Sequence, residues 1–138
     1  MLNSAASGVL RQVDSFIALL RYIKVQIDCY ALPIGDIFAR CDTHLLNDCG
    51  FRESAPPENL VAFLQGCDIR DRETEEIITG FSEAFGRCYR DEQVRECDYY
   101  ISLLCDRREK LANELPKRKK LNSTLCISGA LAIVILLI

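Results

Sequence analysis

The stretch VLRQVDSFIALLRYIKVQIDCYALP, residues 9–33, carries an apolar pattern with helical spacing. Its apolar side chains recur in steps of three and four residues, at Leu10, Val13, Phe16 or Ile17, Leu20, Ile23, Ile27 and Tyr30. This spacing places them on one face of a long helix over residues 9–31. Pro33 cannot continue the helix, because its ring clashes with the preceding turn and its nitrogen donates no hydrogen bond. The pattern predicts a long first helix followed by a sharp corner.

Shorter helices are predicted after this corner. Proline suits the first turn of a helix, so we expect a second helix over residues 34–46, ended by the sequence NDCG. A loop, ESAPPEN, precedes a short helix over residues 58–65. Asp71 is then a candidate N-cap for a helix that stops near Gly86. The apolar face of that helix consists of Ile77, Ile78, Phe81 and Phe85.

A second long helix is predicted over residues 91–115. Its apolar positions come close to a seven-residue repeat, which Arg108 interrupts, so we expect it to pack lengthwise on a partner such as the first helix. No stretch alternates apolar and polar residues for long enough to predict a strand. The expected fold is all-α, a helical bundle in which two long helices frame shorter ones. The apolar positions of the second long helix are Val94, Cys97, Ile101, Leu104, Leu111 and Leu115.

Charge divides the chain into two unequal parts. All 20 acidic residues lie before Lys117, together with 13 of the 17 basic residues, so residues 1–116 carry a net charge of −7. Apolar residues make up 49% of the chain, which is typical of a globular domain. A domain this acidic is a poor candidate for nucleic-acid binding, because phosphates require a basic face.

The tail of the chain has the composition of a membrane anchor. A basic collar, Lys117, Arg118, Lys119 and Lys120, precedes eighteen residues without a charged side chain, residues 121–138. As a helix these residues would span about 27 Å, close to the roughly 30 Å hydrocarbon core of a bilayer. Basic residues beside a spanning helix stay on the cytoplasmic side. We therefore expect an acidic helical cytoplasmic domain, residues 1–116, and a basic collar with a C-terminal transmembrane anchor, residues 117–138. The alternative for the collar is a localisation or nucleic-acid patch.

The residues that usually carry catalysis are sparse. His44 is the single histidine, and a general base also requires a positioned nucleophile and an orienting partner. None of the eight cysteines forms a CxxC pair, and the start of the chain lacks the pattern of a secretory signal, so we expect reduced thiols that pack as small apolar groups. Phosphate-binding and hydrolase motifs are absent. We expect no enzymatic activity, no metal or other cofactor, and no small-molecule substrate.

Three stretches resemble the stage III sporulation protein AB family of endospore-forming bacteria. The first, LLRYIKVQIDCYALPI, is similar to the first long helix and corner of the family. The second, FGRCYRDEQ, is similar to its Phe-Gly segment, and the third, SGALAIVILLI, is similar to its apolar C-terminus. Their order and spacing match over residues 9–138. Two differences stand out: Tyr89-Arg90 replaces the usual Leu-Gly, and MLNSAASGVL is too short and polar for the extra N-terminal hydrophobic segment that members usually have.

The resemblance implies a membrane-anchored, non-enzymatic component of the channel complex that joins mother cell and forespore. Its expected place is the mother-cell membrane that becomes the outer forespore membrane, and its expected partners are other channel proteins and a secretion-type ATPase. It also implies four candidate partner or structural residues: Pro33 at the corner, with Phe85, Gly86 and Gln93 near a helix–helix junction. Each has a purely structural alternative, as turn, core residue or helix stop. The alternative function is that of a tail-anchored helical adaptor of another bacterial membrane complex.

Overall fold

Six helices form the part of the chain that the computed structural model describes, residues 2–114. The all-α prediction is confirmed for these residues, in which the β-structure is a single isolated bridge between Phe51 and Cys67. The helices are α1 (Leu2–Tyr30), α2 (Ile34–Arg40), α3 (Thr43–Cys49), α4 (Leu60–Gly66), α5 (Arg72–Phe85) and α6 (Arg90–Asn113).

The two long helices, α1 and α6, pack against each other lengthwise, as predicted, and the ion pairs between them show that they are antiparallel. Lys24 Nζ lies 2.6 Å from Asp98 Oδ1, and Arg108 pairs with Asp14. The two ion pairs are ten residues apart on both helices, so the register is the same at both contacts. Arg108, which interrupts the apolar repeat of α6, therefore reaches the polar edge of α1.

Aromatic side chains from the short helices cover another side of α1. The ring of Phe63 on α4 lies 6.2 Å from Phe16 of α1, 5.2 Å from Phe38 of α2 and 5.7 Å from Phe51, measured between centroids. All four rings are buried. Large buried aromatic groups contribute strongly to core stability, so this cluster fixes α2 and α4 on α1.

The predicted helix over residues 34–46 is wrong, because the chain forms two helices there. Cys41 has an extended backbone, and the Asp42 carboxylate accepts a hydrogen bond of 2.9 Å from the His44 backbone N–H, which starts α3. An aspartate competes for backbone donors and favours a helix start over a helix interior. Gly50 ends α3 in the left-handed conformation, with φ of 108°, where glycine carries no steric cost.

The ends of the long helices also differ from the prediction. Helix α1 begins at Leu2 and includes the polar start of the chain. Tyr30, predicted on the apolar face, is 66% exposed because α1 runs past the edge of the core there. Conversely, Leu19 is fully buried although it is absent from the predicted face, since α1 is covered from more than one side. The predicted position Leu115 lies outside the described residues.

A buried glutamine joins three segments of the chain near the start of α1. Gln12 Nε2 donates 2.8 Å hydrogen bonds to the backbone carbonyls of Cys49 and Asp68, and its Oε1 accepts from the Arg70 backbone N–H at 3.1 Å. All three partners are backbone groups that would otherwise lose their hydrogen bonds on burial. Gln12 therefore holds the end of α3 and the loop before α5 against α1.

The predicted N-cap of α5, Asp71, is confirmed and also forms an ion pair. Its carboxylate accepts from the Thr74 backbone N–H at 3.1 Å and from Arg107 of α6 through two bonds of 2.9 and 2.8 Å. The hydrogen bonds from Arg107, and then those from Thr74, lower the pKa of Asp71 from 3.8 to about 2. Side chains of both ion-pair partners are largely buried, so the pair ties α5 to α6.

We predict that Asp71→Asn lowers the free energy of unfolding by about 2 kcal/mol at neutral pH. Because the folded pKa lies below the unfolded value of 3.8, the stabilisation is present above about pH 4 and is lost as the pH falls toward 2. The difference between wild type and variant should therefore shrink over this range. Chemical unfolding of the full chain in detergent, followed by circular dichroism at each pH, measures it.

Asp68→Asn is the matched control, because the Asp68 side chain is exposed and makes no ion pair with a described residue. It should change the free energy of unfolding by less than about 0.5 kcal/mol at every pH. An Asp71→Asn variant with the wild-type pH dependence would contradict the role of this carboxylate.

Candidate functional site

One end of the bundle brings three of the four sequence candidates together. Gln93 Nε2 of α6 donates a 3.3 Å hydrogen bond to the carbonyl of Phe85, the last residue of α5. The Phe85 ring is buried, whereas Gly86 is exposed and has φ of −69°, so this glycine ends α5 without a left-handed turn. Pro33 is the exposed residue immediately before α2.

An arginine that was not a sequence candidate connects this end to α1. Arg90 Nε donates to the carbonyl of Ile27 at 3.1 Å, and Nη2 donates to the carbonyl of Asp28 at 2.8 Å. The last carbonyls of a helix carry partial negative charge, which a guanidinium complements. The Ile27 carbonyl already accepts from the Ala31 backbone N–H at 3.0 Å, so Arg90 adds a second donor there and donates to the Asp28 carbonyl as well. The chain leaves α1 through Ala31, whose φ of 54° is unusual for a residue other than glycine. Arg90 thus closes α1 where the chain turns sharply.

We call this end the distal corner; it comprises the last turn of α1, the α5–α6 turn (residues 86–89) and the first turn of α6. It exposes two tyrosines, Tyr89 at 85% and Tyr30 at 66%. Aromatic side chains are enriched in protein–protein interfaces, where they supply much of the binding energy. Because Arg90 holds the two segments together, both tyrosines stand on a fixed backbone. The corner has the features of a surface that receives a protein partner.

The residues that could carry chemistry are not grouped. His44 is exposed at the start of α3, and within residues 2–114 no cluster of histidine, cysteine and acidic side chains could hold a metal ion. Seven described cysteines are unpaired thiols. Burial raises the pKa of Cys41 to about 11, that of Cys67 to about 12 and that of Cys49 well above its usual value. These thiols stay protonated near neutral pH and are poor nucleophiles.

The basic collar, Lys117, Arg118, Lys119 and Lys120, and the predicted anchor lie outside the described residues. Among the helices within residues 2–114, none is long and apolar enough to cross a membrane.

Comparison with known proteins gives one match. A family model described as stage III sporulation protein AB matches residues 59–138, which is more than half of the chain. The match includes α4, α5, α6 and the tail, and it leaves out α1, α2 and α3. No curated protein and no solved structure shows a significant match.

We predict that Arg90→Met, which keeps an apolar stem but removes the guanidinium donors, lowers the free energy of unfolding by about 1–2 kcal/mol. The physical reason is that the Asp28 carbonyl loses its Arg90 donor and the Ile27 carbonyl keeps only the Ala31 backbone N–H. Arg87→Met is the control, because the exposed Arg87 side chain makes no hydrogen bond to a described residue. Chemical unfolding measures both, and equal destabilisation by the two substitutions would refute a capping role.

Proposed function

The chain belongs to the stage III sporulation protein AB family, which indicates a role in sporulation, and from that premise we propose a non-enzymatic, membrane-anchored component of the channel complex between mother cell and forespore. In this proposal residues 117–138 hold the protein in the outer forespore membrane, with the helical domain in the mother-cell cytoplasm. The domain couples a secretion-type ATPase to the membrane assembly by contact, without converting a substrate.

The observation that carries the proposal is the relation between the two ends of α6. The 24 residues of this helix measure about 36 Å, with the tail following its C-terminus and the distal corner at its N-terminus. Arg90 attaches α6 to α1, and the ion pair between Arg107 and Asp71 attaches α6 to α5. A force applied to the distal corner would therefore be transmitted along one helix to the membrane. We assign the distal corner to the ATPase contact.

The sequence supplies the orientation in this proposal. A negatively charged domain followed by four basic residues and an uncharged apolar stretch has the charge order of a protein whose domain stays on the cytoplasmic side. The collar is also placed to contact anionic lipids of that leaflet.

We predict that the double substitution Tyr30→Ser and Tyr89→Ser abolishes complementation in a sporulating strain that lacks its own copy of the protein. Both side chains are largely exposed, so the free energy of unfolding should change by less than about 1 kcal/mol. Heat-resistant spore counts measure function, and immunoblotting measures the protein level.

Tyr99→Ser is the matched control, since Tyr99 is 55% exposed in the middle of α6 and away from the distal corner. It should sporulate like the wild type. Normal spore counts with the double variant would show that the distal corner does not contact an essential partner.

The anchor is tested by a charge placed in the tail. We predict that Ile133→Arg moves the protein from the membrane pellet to the alkaline-extracted fraction, because an arginine within a span costs up to about 2.5–3.5 kcal/mol, the value at its centre. Ile133→Leu should remain in the pellet. Release of the wild-type chain by alkaline carbonate would exclude an inserted tail.

A further inference from the structure

A polar cleft of about 300 Å³ lies where α1 meets the end of α3 and the loop before α5. Arg11, Arg52 and Arg70 line it, and Asp48 is the one acidic side chain among its described lining residues. None of the three arginines forms an ion pair with a described residue, whereas Arg107 and Arg108 both do. Three exposed arginines thus converge on one cleft of a domain with a net charge of −7. We call this feature the arginine cleft.

The backbones that carry these arginines are fixed by hydrogen bonds. Arg11 is on the long helix α1, and the Arg70 backbone N–H donates to the buried Gln12 side chain at 3.1 Å. The Arg52 backbone N–H donates to the carbonyl of Gly66 at 2.9 Å, next to the Phe51–Cys67 bridge. The backbone of the cleft is therefore fixed, while the three arginine side chains that line it are exposed.

The absence of a side chain at Gly8 leaves room for the Arg70 head group against α1. A Cβ atom at Gly8 would lie 2.9 Å from Arg70 Nη1, so the guanidinium occupies space that any larger residue would fill. The Arg70 head group rests directly on the α1 backbone for this reason. Alanine at residue 8 would displace the guanidinium without changing any charge.

The cleft is at the end of the bundle from which the tail departs. Asp14 of α1 pairs with Arg108 of the antiparallel helix α6. Gly8 lies six residues before Asp14, and Glu114, at the end of α6, lies six residues after Arg108. Because the two helices have the same rise per residue, Gly8 and the cleft beside it lie at the same height along the bundle as the end of α6. The collar begins three residues later, at Lys117, and three residues reach at most about 11 Å.

We infer that the arginine cleft binds the phosphodiester headgroup of an anionic phospholipid in the membrane that holds the tail. Guanidinium groups match phosphate oxygens in planar, paired hydrogen bonds, and the cleft volume is at the lower end of the range of small-molecule sites. This inference rests on the proposed anchor, because the anchor is what brings the cleft to a bilayer. A bound headgroup would fix the tilt of the domain on the membrane, and with it the direction of the distal corner.

The test measures binding of dioctanoyl phosphatidylglycerol to the full chain in neutral detergent micelles by calorimetric titration. We expect Arg52→Gln with Arg70→Gln to weaken binding at least tenfold, although the collar is intact. Gly8→Ala should weaken it about threefold with no change in charge. Arg40→Gln with Arg87→Gln, which removes the same charge from arginines outside the cleft, should stay within twofold of the wild type.

Each alternative has its own outcome. Equal weakening by the two double variants, or unchanged binding with Gly8→Ala, would refute the cleft as the lipid-binding site. The binding would then be explained by general electrostatic attraction between the lipid and the basic collar. Inorganic phosphate that binds as tightly as the lipid would assign the cleft to free phosphate and overturn the lipid proposal. Dioctanoyl phosphatidylcholine should bind more weakly, because its choline neutralises the headgroup, and equal affinity would also refute the assignment.

Flotation with neutral phosphatidylcholine vesicles separates this inference from the proposed anchor. All cleft variants should float like the wild type, since the tail is unchanged. Failure of the wild-type chain to float would refute the anchor, whereas the micelle titration would still report whether the cleft binds the headgroup.

Discussion

The antiparallel contact between α1 and α6 is the constraint on which the rest of the bundle depends. Two ion pairs ten residues apart show the register of this contact, and buried side chains such as Leu20 and Leu104 fill the core beside it. A contact this long orders both helices, so the shorter helices pack on a surface that already exists. The phenylalanine cluster around Phe63 closes another side of α1 and completes the core.

Two side chains, Gln12 of α1 and Arg90 of α6, connect α1 to segments that are distant in sequence. Gln12 satisfies carbonyls from two other segments near the start of the helix, and Arg90 satisfies the last carbonyls of α1 itself. Buried or terminal backbone groups without partners are costly, so these two side chains decide where neighbouring segments attach. They also define the surfaces with functional character, since Gln12 lies under the arginine cleft and Arg90 beside the exposed tyrosines.

The antiparallel register also divides the surface of the domain into two ends. The arginine cleft is level with the end of α6 that precedes the tail, and the distal corner is about 36 Å away at its start. Under the two proposals above, these ends would face different partners, lipid at one and protein at the other. The arginines of the cleft, near the collar, are suited to lipid phosphates, and the exposed tyrosines of the distal corner are suited to a protein surface.

Sequence reasoning identified the helices whose signals are local. The apolar steps of three and four predicted α1 and α6, and Asp71 predicted the start of α5, because periodicity and capping depend on neighbours within one or two turns. It missed the break at Asp42, where an aspartate that fits a helix start was read as part of a helix interior. It placed Tyr30 on the buried face, because a continuing pattern gives no sign of where the covering helix ends.

By itself the sequence determined the all-α class, the two long helices, the separation of an acidic domain from a basic and apolar tail, and the resemblance to the sporulation family. Tertiary structure alone decided the roles of Gln12, Arg70 and Arg90, whose partners lie 37 to 63 residues away. Local pattern is encoded in spacing along the chain, whereas these contacts exist only once α1 and α6 have aligned. The arginine cleft has no sequence signature for the same physical reason: its three cations converge through packing.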